Sequence, residues 1–481
     1  MKPAAMRNPS TRTEDTDIEH PGSSDDPSER EAVVSPGWRD GRTEGGPRRV
    51  AMSRRALLGS ALATAGGAAA MGFAIGRLTL PNAETARPSA DPGAGTTISP
   101  FGAHQAGVAT AQQQYVTLVA ADLAVTDAVS LRRFLADVSR TIVAIVRGED
   151  TPPSSMYPDG AVTPTDFATG LSPAGLTVTV GVGPGVFALP GVSGEAPRRL
   201  RPLPEFTGDH LDPRWGGGDL LFQICADDPQ VVSAATRAVR ARMPGSAVIR
   251  WTQSGFLSSP HDGGTPRNMF GHKDGTSNPR IGTREFSDVV WALPDEPSWF
   301  RGGTYLVFRK IRMLTASWDL TARDEQDAVI GRRRGDGAPL TGKGEFDAPD
   351  LDAVGADGTP VIAADGHIRR AHGFPMLRRS YTYDYGFLTA MAGGSPDPLE
   401  HPEDHPHAPG TKDHHHGGHG KLDVGLLFCA YGNDPDRQFI AAQTRLAEND
   451  RLNRFIQHTG SAIFAVLPGF GEDGYVGDTL V

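Results

Sequence analysis

The segment Gly271-His272-Lys273-Asp274-Gly275 sets one acid between two glycines. Glycines at such positions let a backbone approach a flat ligand closely while the carboxylate is presented to it. The Asp-Gly pair is also common in turns, so this segment alone supports either reading. Downstream, Asp365-Gly366-His367-Ile368-Arg369-Arg370 puts a histidine just beyond a turn, and Met376-Leu377-Arg378-Arg379-Ser380-Tyr381 adds two arginines. An imidazole can ligate iron through one ring nitrogen, and arginines can stabilise anionic groups. Taken singly, an exposed histidine and a solvated basic patch read equally well. A third cluster is His401, His405, His407, His414, His415, His416 and His419, crowded among Pro, Gly and Asp. Neutral imidazoles at that density can hold Zn²⁺, Cu²⁺ or Ni²⁺, or pass iron along. A tolerated low-complexity insertion with incidental metal affinity accounts for it as well.

The elements that must position these residues repeat. Gln114–Asp122 is a β-branched, apolar run fit for a strand. Thr126-Asp127 then caps a helix whose Val129, Phe134, Val138, Ile142 and Ile145 make one apolar face. Strands follow at Leu176–Val182 and Asp219–Ala226, a helix from Asp228-Pro229 to about Arg242, and a strand at Ser246–Gln253. That is β-α-β-β-α-β, the ferredoxin-like order. The second half repeats it: strand Thr304–Met313, helix Thr315 to about Ile330, strands Tyr381–Tyr385 and Asp423–Tyr431, helix Asp436–Arg454, strand Ser461–Leu467. The chain is thus expected to be α+β, with two ferredoxin-like domains whose antiparallel sheets can face one another. The expected bounds are 101–260 and 301–481, with a loop-rich connection at 261–300 that carries the bracketed acid. Long loops in compact proteins are more often functional than idle. The histidine cluster becomes an insert at 401–420 between two strands of the second domain.

A chain of 481 residues with 38% hydrophobic and 22% charged residues suits a soluble protein of more than one domain. Its net charge of −10 argues against a nucleic-acid binder. Cys225 and Cys429 are its only cysteines, so no disulfide framework holds the fold. Both lie in apolar runs and read as buried small side chains, with a bridge between them left open. Residues 1–51 are polar and read as a disordered extension. Ser53-Arg54-Arg55-Ala56-Leu57-Leu58 and the Ala/Gly-rich run to Ile75 read as a twin-arginine signal and linker over 52–95. A membrane anchor is the competing reading, disfavoured because Ala and Gly dominate where an anchor uses Leu, Ile and Val. The expected location is periplasmic, cell-envelope or extracellular. Export of a folded chain hints at a cofactor inserted beforehand.

Gly-x-x-Asp-Gly, His-Ile-Arg and Leu-Arg-Arg-x-Tyr, in that order, resemble the dye-decolorising peroxidase family, and its exported deferrochelatase/peroxidase-like branch in particular. Further stretches are similar to the exported bacterial members: Phe101-Gly102-Ala103-His104-Gln105-Ala106-Gly107, Trp251-Thr252-Gln253-Ser254-Gly255-Phe256, Gly425-Leu426-Leu427-Phe428, Gln443-Thr444-Arg445-Leu446 and Leu467-Pro468-Gly469. The resemblance runs from about Phe101 to Gly469. It implies two ferredoxin-like units with one haem b per subunit in the second. By position it implies His367 as the proximal iron ligand, Asp274 as the distal acid and Arg378 as the distal arginine. Leu426 and Phe428 match the apolar wall, and Gly271 and Gly275 flank the acid. The interval from His367 to Arg378 is short for the family, which keeps Arg379 as a second candidate and His372 as an alternative ligand. Glu448 and Asp450 are the candidates to orient the proximal imidazole.

Three functions follow from the resemblance. The first is a haem peroxidase that reduces H2O2 while oxidising dyes, phenols or another organic reductant, with activity favoured at acidic pH. The second is release of iron from haem with the porphyrin intact, where haem is substrate and iron-uptake proteins are possible partners. The third is non-enzymatic haem or metal delivery. Bulky donors are expected to react at the haem edge or through Tyr381, Tyr383 or Tyr385. A homodimer is compatible with all three.

Overall fold

The computed structural model describes residues 96–156, 168–258, 260, 264–387 and 422–481. The expected extension 1–51, the expected signal and linker 52–95 and the histidine-rich stretch 401–420 lie outside these described residues.

Side-chain alternation sets the architecture. In β1 (Tyr115–Leu123), Val116, Leu118 and Ala120 pack into one core while Val119 and Ala121 pack into another on the opposite face, as the period of two in a strand requires. The second core lies beneath α1 (Ala128–Arg147) and α2 (Pro229–Arg240). Asp127 caps α1 by accepting from the Ser130 N–H at 2.8 Å, and Asp228 caps α2 by accepting from the N–H groups of Gln230 and Val231. Each such cap is worth about 1 kcal/mol. Val129, placed on the apolar face by its spacing, is 59% exposed; Leu131 is buried instead.

With β2 (Thr177–Val182), β3 (Leu220–Ala226) and β4 (Ala247–Phe256), the first half forms the antiparallel order β2-β3-β1-β4. The second half is built from β5 (Thr304–Met313), β7 (Tyr381–Phe387), β8 (Leu422–Gly432) and β9 (Ile456–Val466), in the order β7-β8-β5-β9. Both orders are ferredoxin-like. A two-residue strand, β6 (Leu377–Arg378), sits beside Tyr431 and Ala430 of β8, next to β7 on the same edge.

The two sheets do more than face one another. They join at both edges, Gly181 and Val182 of β2 pairing with Val466 and Ala465 of β9, and Phe256 of β4 with Thr382 of β7. The strands therefore close into a ring around an interior of Leu118, Trp251, Phe308, Tyr381, Tyr431 and Phe464. Trp251 of the first half stacks on Phe308 of the second at 4.7 Å. Cys225 and Cys429 are free thiols in this interior, and Tyr381 donates its hydroxyl to Cys225 Sγ.

The connection between the halves carries the short helix α3 (Arg284–Val290), and two expected helices beyond it are broken. The first divides into α4 (Thr315–Asp319) and α5 (Arg323–Ile330), with Leu320 between them 90% exposed. Trp318 stays buried against Phe270 and Phe455. The second becomes a π-turn at Asp436–Ile440, then α7 (Ala441–Asn449), then a 3-10 turn at Arg451–Arg454. Asp450 between them is extended, at φ −110° and ψ 125°.

Candidate active site

His367 opens α6 (His367–Ala371), a short helix packed on α7. The break at Asp450 gives this position its chemistry. Asp450 Oδ1 accepts the Leu452 N–H at 2.9 Å, capping the 3-10 turn, while Oδ2 lies 2.6 Å from His367 Nδ1. The Asp450 side chain is 2% exposed and that of His367 30%. One ring nitrogen is therefore held by a buried carboxylate, and Nε2 is left to act. Burial alone would depress the imidazole pKa, but the Asp450 charge and hydrogen bond outweigh it and raise it. The segments carrying the pair are tied on both sides. Arg451 meets Asp365 at 2.7 Å, and Arg370 donates to the Arg445 carbonyl and to Glu448. Of the two carboxylates considered for the imidazole, Asp450 faces it and Glu448 serves Arg370.

The bracketed acid stands on a loop that is shaped by its glycines. Gly271 has φ +78° and Gly275 φ +118°, values open to glycine and strained for other residues. Both positions are explained by the turn itself. Asp274 donates its N–H to the Pro266 carbonyl at 2.9 Å and turns its carboxylate toward Arg378, with Oδ1 3.8 Å from Nη1. These two side chains are 26% and 29% exposed, so both remain reachable. The electrostatics join the three groups, because Arg378 lowers and Asp274 raises the pKa of His367. Asp274 and Arg378 are thus electrostatic neighbours of His367.

The sheet beside Arg378 presents two apolar residues on one face. Arg378 lies opposite Ala430 in the β6–β8 pair, so both project to the same face. Leu426 and Phe428 follow at two-residue steps along β8 on that face and are half-buried. Phe428 also contacts Phe439, ring centroids 5.9 Å apart. Arg379, adjacent on the chain, must point the other way. It is 2% exposed, donates to the Thr110 carbonyl and to Gln113 Oε1, and does not belong to this cluster. His372 is exposed beyond the end of α6, and Arg445 approaches its carbonyl.

Three supporting residues carried no signal in the sequence. Glu345, in a Gly-rich stretch, accepts from Lys273, Thr265 and Thr276, the first and last of which flank Asp274. Burial would raise its pKa, yet these donors outweigh that and lower it. Asp327 of α5 meets the buried His272 Nε2 at 3.0 Å; burial lowers the His272 pKa despite this partner. Asn278 holds Arg378 through its main chain: the amide nitrogen donates to the Arg378 carbonyl at 2.7 Å, and Oδ1 accepts the Arg378 N–H at 3.0 Å.

Residues 105–257 match the family model described as Dyp-type peroxidase, N-terminal, and residues 265–470 match Dyp-type peroxidase, C-terminal. The chain belongs to the Dyp-type peroxidase family. It is 34% identical to the dye-decolorizing peroxidase of Thermobifida fusca, over 91% of this chain and 99% of that protein. It is 32% identical to the deferrochelatase of Escherichia coli, over 79% of this chain and 86% of that one. Among solved structures, a Dyp-type peroxidase from Cellulomonas bogoriensis aligns with a TM-score of 0.68 at 37% identity, covering 81% of this chain and 99% of that one. Ferric DtpA from Streptomyces lividans aligns at 0.70 and 34% identity, covering 82% and 99%. This Dyp-type peroxidase has the family's two ferredoxin-like halves, and its candidate site lies in the second.

Proposed function

We propose that this chain is a haem-dependent peroxidase that reduces H2O2 at the expense of an organic donor. The observation that supports the reading is a carboxylate-anchored imidazole, His367 on Asp450, whose electrostatic neighbours are the acid–guanidinium pair Asp274 and Arg378. The donor set fits a haem b. His367 Nε2 would hold the iron, Asp450 would keep the Nδ1 proton and so the tautomer, and Leu426 and Phe428 would offer an apolar wall. When bound, the haem would supply the two electrons that reduce the peroxide bond and would hold the resulting oxidising equivalents until donors reduce it.

The chain's own groups move the proton. Asp274, ionised, accepts a proton from one peroxide oxygen and returns it to the other, which leaves as water. Arg378 stabilises the negative charge that develops on the departing oxygen. Leu426 and Phe428 exclude bulky donors and competing water. Of the three tyrosines considered for bulky donors, Tyr381 and Tyr383 are fully buried and Tyr385 is 46% exposed. The Tyr383 ring lies 5.0 Å behind that of Tyr385, and its hydroxyl donates to Asp423 Oδ1, a ready proton acceptor. Tyr385 is therefore the surface position proposed for donors too large for the pocket.

Deferrochelatase activity is the second reading. It is favoured by the deferrochelatase relatives and by the histidine-rich stretch, which would accept released iron. Export by the twin-arginine route, proposed from Ser53-Arg54-Arg55, suits either activity. Incubating the purified chain with haem and a phenolic donor, with and without H2O2, and identifying products by mass spectrometry separates the readings. Oxidised donor with intact haem supports the peroxidase, metal-free protoporphyrin supports iron release, and neither product leaves haem or metal delivery.

A further inference from the structure

We infer that Asn278 is a positioning residue that sets the separation between Asp274 and Arg378. The inference rests on the assignment of those two as the catalytic pair. Strand alternation explains why such a residue is needed. Just past β6, the Arg379 N–H reaches the Cys429 carbonyl of β8 at 2.8 Å, so the N–H and C=O of Arg378 point to the opposite edge. No strand lies there among the described residues. The Asn278 side chain takes its place, matching the Arg378 N–H with Oδ1 and the Arg378 carbonyl with Nδ2.

An amide is the side-chain group that carries donor and acceptor together in the form of a peptide unit. An aspartate at this position could not donate to the carbonyl, and an alanine would leave both main-chain groups unmet. The same residue is fastened to the acid. Its N–H donates to the Gly275 carbonyl at 3.2 Å, closing the turn that begins one residue after Asp274, while Glu345 grips Thr276 and Lys273 on either side of the acid. Acid and guanidinium come from segments about a hundred residues apart, and Asn278 is a single residue that bonds to both, through its side chain to the Arg378 main chain and through its own N–H to the turn after Asp274.

The test uses the haem-loaded full chain and a double-mutant cycle. Misplacement of a reacting group by about 1 Å can cost on the order of a hundredfold. Asn278→Ala is therefore expected to lower kcat/KM for H2O2 by about 10- to 100-fold. In an Arg378→Ala background the same change should cost less than about twofold, since its target is gone. A readout independent of activity is the crystal structure of haem-free Asn278→Ala, in which the Nη1–Oδ1 separation should exceed 3.8 Å. Asn278→Asp, which keeps the acceptor and loses the donor, serves if the alanine variant does not fold, with a smaller loss expected. Wild-type kinetics in Asn278→Ala, beside slow Asp274→Ala and Arg378→Ala, would overturn the inference. So would an equal penalty in both backgrounds, the mark of a merely structural role. If Asp274→Ala and Arg378→Ala are themselves as fast as wild type, the catalytic assignment fails, and an unchanged separation in the crystal then overturns the positioning role by itself.

Discussion

Replacing Asp450 by Asn keeps the shape of the site and removes one charge. Oδ1 caps the turn by accepting the Leu452 N–H, and an asparagine oxygen can do the same. That choice fixes the other end: the NH2 group then faces His367 Nδ1, where Oδ2 stood 2.6 Å away. Nδ1 must become the acceptor, so the ring proton moves to Nε2, the atom proposed to bind iron. The loss includes a charge-assisted hydrogen bond to a carboxylate that is 2% exposed. Such bonds are worth about 1.5–3 kcal/mol, or roughly 10- to 150-fold in an equilibrium constant. Outer-shell partners of metal-bound histidines typically cost about 10- to 100-fold, in agreement. The assay is titration of the haem-free chain with hemin, followed by the Soret band. Asp450→Asn should bind about 10- to 100-fold more weakly, with an altered spectrum but a similar melting temperature. Unchanged affinity and spectrum would refute the tautomer argument and with it the role of the pair.

The other predictions concern the acid loop and the donors. Asp274→Ala should slow peroxide reduction by about 10²- to 10⁴-fold, and Arg378→Leu by about 10²- to 10³-fold, in single-turnover stopped-flow; near-wild-type rates would remove both from the mechanism. Glu345→Gln tests the clamp on that loop. The folded-state pKa of Glu345 is lowered, so its contribution is present above the unfolded carboxylate range and is lost as pH falls through the folded value. The melting temperatures of wild type and Glu345→Gln should therefore differ at neutral pH and converge in acid, whereas parallel curves would contradict the clamp. Tyr385→Phe should reduce turnover of bulky dyes and leave small phenols unaffected; an equal effect on both would place bulky-donor oxidation elsewhere.

How far the sequence could be read depended on the range of the interaction. Strand β5 was legible end to end, because the β-favouring run Tyr305–Phe308 directly after Gly302-Gly303 marks it locally. The ring closure was not, since it rests on short contacts between edges far apart in sequence, Gly181 and Val182 against Val466 and Ala465. The same contrast governs the site. Motifs single out His367, Asp274 and the Arg378-Arg379 pair, yet no local feature distinguishes Arg378 from Arg379. Alternation along Leu377–Arg379 turns Arg379 the other way, toward Thr110 and Gln113 of the first half, which take up its buried guanidinium. Asp450 was one of two carboxylates in view. Its helix break became apparent only once Leu452 and His367 were seen to share its oxygens. Glu345 and Asn278 act on residues 69 to 100 positions away, and nothing beside them marks that task.

The most direct test is a crystal structure of the haem-loaded full chain. The iron should sit on His367 Nε2, with Asp450 still on Nδ1 and with Asp274 and Arg378 over the opposite porphyrin face. Iron held by His372 or by a histidine of the 401–420 stretch, or a porphyrin bound away from Asp274 and Arg378, would contradict the account.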